Sequence, residues 1–409
     1  MYDRKRGACS PGQKGWLHTM YQHQKGAFEK QFGCKAKYIF SAPGRTEISG
    51  NHTDHQHGCV MAAAVNREAV AAVAENGTKI VRLFSEGYGL LEVDITDMSV
   101  KPEEVNSTPA LIRGVAAKFQ EYGLQGFDAY VTSTVLSGSG LSSSAAFEVL
   151  VGVIFNHLTK AGKTPIEIAQ IGQYAENVYF GKPCGLMDQM ASSVGNIIAI
   201  DFADPAKPIV TPMTFDFATC GYSLCVIDSG AGHEDLTDEY AAITRELKAV
   251  CHIFGKEFLR DVSEEAFYDR IAEVRKTCGD RATLRAIHVF AENKRVALQR
   301  KALEENDFDT FLHYVKESGA SSWRLLQNVI PSGWKEHQEV AFALALAEKL
   351  LGGRGACRVH GGGFAGTIAA FVPVDMLDSF KAGIEKALGE GSCHVMNIRK
   401  EGGVLVEEL

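Results

Sequence analysis

The segment SGSGLSSSAA at residues 137–146 constrains the fold most, because it joins two segments of different periodicity. Residues 127–136, FDAYVTSTVL, alternate at the two-residue period of a β-strand. Residues 146–158, AFEVLVGVIFNHL, place their apolar side chains along one helical face. The sequence therefore predicts a strand, a glycine-rich turn and a helix in direct succession.

A turn of this composition is a candidate phosphate loop. Glycines let the backbone approach an anion, serines add hydroxyl donors, and the helix that follows presents free N–H groups. It is not a Walker loop, since no lysine follows the last glycine, and it lacks half of the Rossmann fingerprint. A plain glycine–serine turn without a ligand is the alternative. The candidate residues are Gly138, Ser139, Gly140, Leu141, Ser142, Ser143 and Ser144.

The other periodic segments mix helices and strands without strict alternation, which favours an α+β fold. Residues 37–43 predict a strand stopped by Pro43, and the cap signals of Thr164-Pro165 with Glu167 predict a helix that runs to about Val178. A final strand pair is expected at the C-terminus. The proline-rich segment DPAKP at 204–208 marks a seam, so we expect two domains, residues 1–210 and 211–409.

Composition limits the partners and the compartment. The net charge of −8 argues against nucleic acid, which would require a basic face. No apolar run approaches the roughly 20 residues of a membrane span, and we expect no secretory signal, because no apolar stretch follows the charged residues at the start of the sequence. The ten cysteines form no CxxC pair, which indicates free thiols in a reducing cytoplasm. We expect a cytoplasmic protein that binds neither nucleic acid nor membrane.

Three further segments carry polar side chains that chemistry could use. CGLMDQ at 184–189 places Asp188 among small and apolar residues, where it either caps a helix or faces a reacting hydroxyl. GGGFAG at 361–366 is either a tight turn or part of a site. GRTEISGNHTDHQHG at 44–58 contains three histidines, but their spacing fits neither HExxH nor a usual zinc pair. A sugar-binding loop is therefore favoured there over a metal site.

Taken together, these segments resemble the GHMP small-molecule kinases and, within them, the galactokinases. APGRTEISGNHTDHQHG at 42–58 is similar to the family signature APGRxNxxGEHTDYxxG, CGLMDQ is intact, and GGGFAG is close to GGGFGG. GSGLSSSAAFEV matches the family's phosphate loop, and SGAGHEDLTDEY at 229–240 is similar to the family segment SNxxHxLxxSEY. The elements follow in the family's order over nearly the whole chain.

The resemblance implies a fold and an activity. It implies a ribosomal-protein-like N-terminal domain and a ferredoxin-like C-terminal domain, with the site in the cleft between them. It implies ATP-dependent phosphorylation of galactose at the anomeric hydroxyl, which gives galactose 1-phosphate and ADP. ATP and Mg²⁺ would be required, the partner would be a small sugar, and the protein would be a monomer.

The resemblance also implies roles for individual residues. Asp188 would be the catalytic carboxylate, kept ionised by Arg45 beside it. Ser144 and Glu176 would hold Mg²⁺, and the candidate phosphate loop would cradle ATP. The sugar would be bound by Asn51, His52, Asp54, Gly185 and Tyr240.

One departure from the signature bears on the substrate. Asn51 stands where the family has a glutamate that contacts the carbon-six hydroxyl of galactose. Asparagine can still form a hydrogen bond, but losing the charge also removes repulsion against a carboxylate, so galacturonate or another sugar modified at carbon six is an alternative substrate. A sensor that binds sugar and ATP without turnover is a second alternative, but Ser144-Ala145 and Asp188 are intact.

Overall fold

The computed structural model describes residues 11–135, 140–182, 184–232 and 236–409. Its strands are β1 Tyr38–Ser49, β2 Cys59–Glu75, β3 Ile80–Ser85, β4 Gly89–Asp94, β5 Phe127–Ser133, β6 Ile197–Asp201, β7 Ile209–Met213, β8 Tyr222–Asp228, β9 Ala356–His360, β10 Thr367–Pro373, β11 Cys393–Met396 and β12 Val404–Glu408. Its α-helices are α1 Pro11–Phe32, α2 Thr108–Ala117, α3 Ser143–Thr159, α4 Pro165–Tyr174, α5 Met187–Val194, α6 Thr237–Ile253, α7 Glu264–Asp269, α8 Ile271–Glu304, α9 Phe308–Ser321, α10 Glu339–Leu351 and α11 Leu377–Leu388.

These elements form two sheets. The larger has the order β12-β1-β2-β5-β3-β4, and β6 and β7 extend it from β2. Helices α2, α3 and α4 cover one of its faces through a core that includes Phe40, Ile112 and Phe155. The smaller sheet has the order β11-β8-β10-β9, with α10 and α11 packed on it. This is the mixed α+β architecture that the sequence predicts.

The prediction that Pro43 ends the first strand is wrong. β1 continues to Ser49, with a register shift between Pro43 and Arg45. A proline is tolerated in a strand at such an irregularity, because its missing N–H is not needed there. The continuation places Arg45, Thr46 and Glu47 on a buried strand that leads into the loop of the candidate sugar site.

The last two strands do not pair with each other as predicted. β11 joins β8 in the smaller sheet, whereas β12 joins β1 in the larger one. The chain therefore returns to the first sheet at its end. β6 and β7, which lie on either side of the predicted seam, are also paired in the larger sheet, and the division at residue 210 stays a prediction.

Local signals in the sequence were more reliable. Thr164 and Glu167 form the predicted capping box at the start of α4. The α-helix ends at Tyr174 rather than near Val178, because a π-helical turn over Ala175–Phe180 follows it. The cysteines of the described residues are free thiols. Within the same ranges, no helix is both long and apolar enough to cross a membrane.

Candidate active site

Arg45 and Asp188 form the centre of the site. The guanidinium of Arg45 donates from Nε to Oδ1 and from Nη2 to Oδ2 of Asp188, both at 2.6 Å. Burial alone would raise the pKa of Asp188, but the adjacent Arg45 outweighs it and holds this pKa below its ordinary value of 3.8. The carboxylate is thus ionised at neutral pH and fixed in direction by a two-pronged contact.

The same arginine reaches the candidate phosphate loop. Nη1 of Arg45 donates to the carbonyl oxygen of Gly140, and the backbone N–H of Arg45 donates to the carbonyl of Leu141 at 3.0 Å. A Cβ atom on Gly140 would overlap the hydroxyl of Thr367, so only glycine fits between the loop and the smaller sheet. Gly138 and Ser139 lie outside the described residues, as do residues 233–235 of the segment before Tyr240.

Ser144, in the first turn of α3, and Glu176, in the π-helical turn after α4, lie next to each other, as the resemblance implies for a Mg²⁺ site. The Ser144 hydroxyl donates to Oε1 of Glu176 at 3.4 Å, and Lys182 Nζ lies 3.9 Å from the same oxygen. Gln189 Nε2 donates to Oε2 of Glu176 at 2.8 Å and to Oε2 of Glu148 at 2.9 Å. Burial, and then the charge of Glu176, raise the pKa of Glu148 well above its usual range. Two neighbouring side-chain oxygens suit a hard cation that takes its other ligands from phosphates and water.

The predicted sugar loop contains a chain of neutral histidines. Gln56 Nε2 donates to Nδ1 of His55 at 3.2 Å, His55 Nε2 donates to Nδ1 of His52 at 3.1 Å, and His52 Nε2 donates to the carbonyl of Gly362 at 2.9 Å. Each bond fixes the tautomer of the next ring. Burial lowers the pKa of His52 to about 3, so this ring is uncharged at neutral pH.

Three of the predicted sugar residues hold the glycine loop 361–363. Asn51 Nδ2 donates to the carbonyl of Gly361 at 2.6 Å, His52 to that of Gly362, and the Tyr240 hydroxyl to that of Gly363 at 2.8 Å. The structure therefore brings Asn51, His52 and Tyr240 together around this loop, which lies between β9 and β10.

The other two predicted sugar residues, Asp54 and Gly185, lie against each other. A Cβ atom on Gly185 would overlap Oδ2 of Asp54, so the absence of a side chain at 185 lets the two segments meet. Gly185 lies three residues before Asp188 in the CGLMDQ segment. Asp54 therefore contacts the segment that also carries Asp188.

Other residues were not assigned to the site from the sequence. His360 Nε2 accepts from the backbone N–H of Glu47 at 3.0 Å and lies 3.0 Å from the Thr46 hydroxyl. Glu292 accepts from the backbone N–H of Gly50 at 3.3 Å. His360 directly precedes the GGGFAG segment in the sequence, which is only a weak indication of a role in the site. Glu292 lies in the long helix α8, and the charge pattern of that helix does not distinguish it from the other acidic residues.

Comparison with known proteins agrees with this geometry. Residues 110–196 match the family described as GHMP kinases N terminal domain, and residues 26–75 match the galactokinase galactose-binding signature. The chain is 33% identical over 362 residues to the galactokinase of Glaesserella parasuis serovar 5, covering 87% of this chain and 90% of that protein. It is 31% identical to the galactokinase of Streptomyces coelicolor, covering 88% and 91%.

Solved structures support the same assignment. The structure of Lactococcus lactis galactokinase complexed with galactose superposes with a TM-score of 0.80 at 26% identity, covering 95% of this chain and 100% of that one. A mevalonate kinase structure, at 12% identity and a TM-score of 0.62, shares the fold alone. The predicted fold is confirmed, and the chain belongs to the galactokinase family of the GHMP small-molecule kinases.

Proposed function

We propose that this protein transfers the γ-phosphoryl group of ATP to the anomeric hydroxyl of galactose, giving galactose 1-phosphate and ADP. The observation that carries the proposal is the Arg45–Asp188 pair, which supplies an ionised, oriented carboxylate next to the phosphate loop. The galactose-binding signature over residues 26–75 and the galactokinase relatives favour galactose as the acceptor.

Each residue has a defined task in this reaction. Asp188 accepts a hydrogen bond, and then the proton, from the sugar hydroxyl. Arg45 keeps that carboxylate aligned and couples it to the loop carbonyl of Gly140. Such transfer relies on positioning and on neutralising charge more than on covalent chemistry by the protein.

ATP is assigned to the candidate phosphate loop and to the N-terminus of α3. Free N–H groups and the helix dipole favour a polyphosphate there. Ser144 and Glu176 would hold Mg²⁺, and the cation would neutralise charge on the phosphates. Asp54, Gly185, His52, Asn51 and Tyr240 would surround the sugar. The monomeric state and the cytoplasmic location stay predictions.

A sugar panel tests the proposal directly. The purified protein is incubated with ATP, Mg²⁺ and either galactose, galacturonate, glucuronate, arabinose or N-acetylgalactosamine, and ADP release is followed. Galactose should give the highest kcat/KM, with a phosphate ester at carbon one by ³¹P NMR. Methyl α-galactoside is the matched control, because its anomeric oxygen is blocked and it should release no ADP.

The other outcomes separate the alternatives. A higher kcat/KM for galacturonate than for galactose would establish the uronate kinase instead. Release of no ADP with any sugar, while sugar and ATP still bind, would indicate a sensor.

A further inference from the structure

Glu47 is a buried carboxylate beside the sugar loop. The proposed reaction assigns no role to it. It lies on β1 and is only 4% exposed. Its Oε1 is paired with Nη2 of Arg358, which comes from β9 of the other sheet, and it accepts a hydrogen bond from Nδ2 of Asn51 at 3.2 Å. The carboxylate thus joins the sugar loop to the second half of the chain.

We propose that Glu47, held by Arg358, is a positioning residue that sets the affinity for the sugar acceptor by orienting Asn51 and the glycine loop. The inference rests on the proposed function, since it concerns the acceptor site of that reaction.

The hydrogen bonds of Asn51 allow a single orientation of its amide. One N–H donates to Glu47 and the other to the carbonyl of Gly361 at 2.6 Å. Its Oδ1 accepts from Asn328 Nδ2 at 2.9 Å and from the Ser322 hydroxyl at 3.2 Å. A rotated amide would set its oxygen against two acceptors, so Glu47 selects the observed orientation together with the Gly361 carbonyl and the two donors to Oδ1.

A second buried carboxylate holds the backbone of the same loop. Glu292 Oε1 accepts from the N–H of Gly50 at 3.3 Å and of Asn51 at 3.4 Å, and Oε2 accepts from Arg295 at 2.7 Å. Nη1 of Arg358 lies 3.8 Å from Glu292, so carboxylates and guanidiniums alternate in one buried network.

Such a network is a poor source of stability, because desolvating four charges costs about as much as their attraction returns. Its use is to fix the relative positions of the groups that it joins. Burial lowers the pKa of Arg358 to about 10, which still leaves it charged at neutral pH.

A change at Glu47 would affect the sugar site through the glycine loop 361–363. Asn51, His52 and Tyr240 each bind one carbonyl of residues 361–363. Losing the Glu47 charge weakens one of the four hydrogen bonds that fix the Asn51 amide, so the donor to the Gly361 carbonyl is held less firmly. The residues proposed to surround the sugar are then no longer held in fixed relative positions. The candidate phosphate loop keeps its contacts with Arg45.

The test compares Glu47→Gln with Asp128→Asn. Asp128 is a matched control because it is also buried, accepts from Arg82 Nε at 2.7 Å, and lies on β5 outside the site. Glu47→Gln should raise the galactose KM by about 10- to 100-fold, the range expected for hydrogen bonds to charged groups. The ATP KM should change by less than about 3-fold. Asp128→Asn should lower Tm and leave both KM values unchanged.

A double variant separates positioning from stability. In Glu47→Gln with Arg358→Met no unpaired charge is left in the core, so Tm should recover relative to Glu47→Gln alone. The galactose KM should stay high because the Asn51 amide still lacks the Glu47 carboxylate as its acceptor. Recovery of both quantities, or an unchanged galactose KM in folded Glu47→Gln, would overturn the inference.

Sugar affinity is also measured by calorimetry in the same proteins. A wild type that binds a sugar but turns over none would refute the proposed function, while the affinity difference between wild type and Glu47→Gln would still decide the role of Glu47.

Discussion

Replacing Asp188 by asparagine tests the centre of the site most directly. The change keeps the shape of the side chain but removes its charge and turns one oxygen into an N–H donor that faces Arg45. Two contacts of 2.6 Å between opposite charges are reduced to one contact between the guanidinium and an uncharged amide oxygen. The variant also lacks the group that accepts the proton, and such assistance is typically worth about 10²–10⁴-fold in rate.

We therefore expect kcat to fall by about 10²–10⁴-fold, which corresponds to about 2.7–5.4 kcal/mol at 1.36 kcal/mol per tenfold. Galactose and ATP affinities, measured by calorimetry, should change only a few-fold, because Asp54, His52 and the phosphate loop are untouched. Asp128→Asn is again the control, since it removes a similar arginine contact elsewhere. A kcat within about threefold of the wild type, in a folded Asp188→Asn protein, would refute the assignment.

Three further predictions concern the metal, the histidines and the sugar loop. Ser144→Ala and Glu176→Gln should each raise the Mg²⁺ concentration needed for half-maximal rate and lower kcat; unchanged metal dependence in both would place the cation elsewhere. The pKa of His52 is lowered to about 3 from 6.5; the unfolded chain therefore takes up a proton below pH 6.5 that the folded chain refuses, and stability should fall as the pH drops from 6.5 towards 3. Denaturant titrations at several pH values should show that the free energy of unfolding falls less steeply with decreasing pH in His52→Gln than in the wild type. An identical pH dependence in the two proteins would contradict the assignment. Asn51→Glu should destabilise the protein and lower turnover, because a carboxylate would face Glu47 Oε1 and the Gly361 carbonyl; thermal melts and kcat/KM check this, and Asn51→Glu with Glu47→Gln should recover part of the loss.

Local sequence signals predicted local structure well. The strand–turn–helix at the phosphate loop follows from a change in hydrophobic period, and the capping box of α4 follows from three residues. The contact of Arg45 with Asp188 joins residues 143 positions apart. It was expected only because the whole motif set resembles a known family.

Contacts made at long range had no such signal. Glu292 reaches Gly50 across 242 positions, and nothing in the charge pattern of α8 distinguishes it from exposed acids on the same helix. The pairing of β12 with β1 is likewise decided by tertiary packing, since either of the last two strands has the composition to join either sheet. The course of β1 beyond Pro43 depended on a bulge that single-sequence propensity does not reveal.

The position of Glu47 changes how the departure at residue 51 bears on the substrate. Asparagine at 51 removes one carboxylate from the signature, but Glu47 keeps another within 3.2 Å of that amide, and Arg358 neutralises it. Both amide hydrogens of Asn51 are engaged by protein acceptors. A uronate placed against this residue would lose its hydration without gaining a donor or an accessible cation, since Arg358 is 1% exposed. A neutral hydroxyl pays a far smaller desolvation cost at the same place. If Asn51 faces carbon six, as the family signature implies, the geometry thus favours galactose over galacturonate, whereas the loss of the signature glutamate on its own leaves galacturonate open as an alternative.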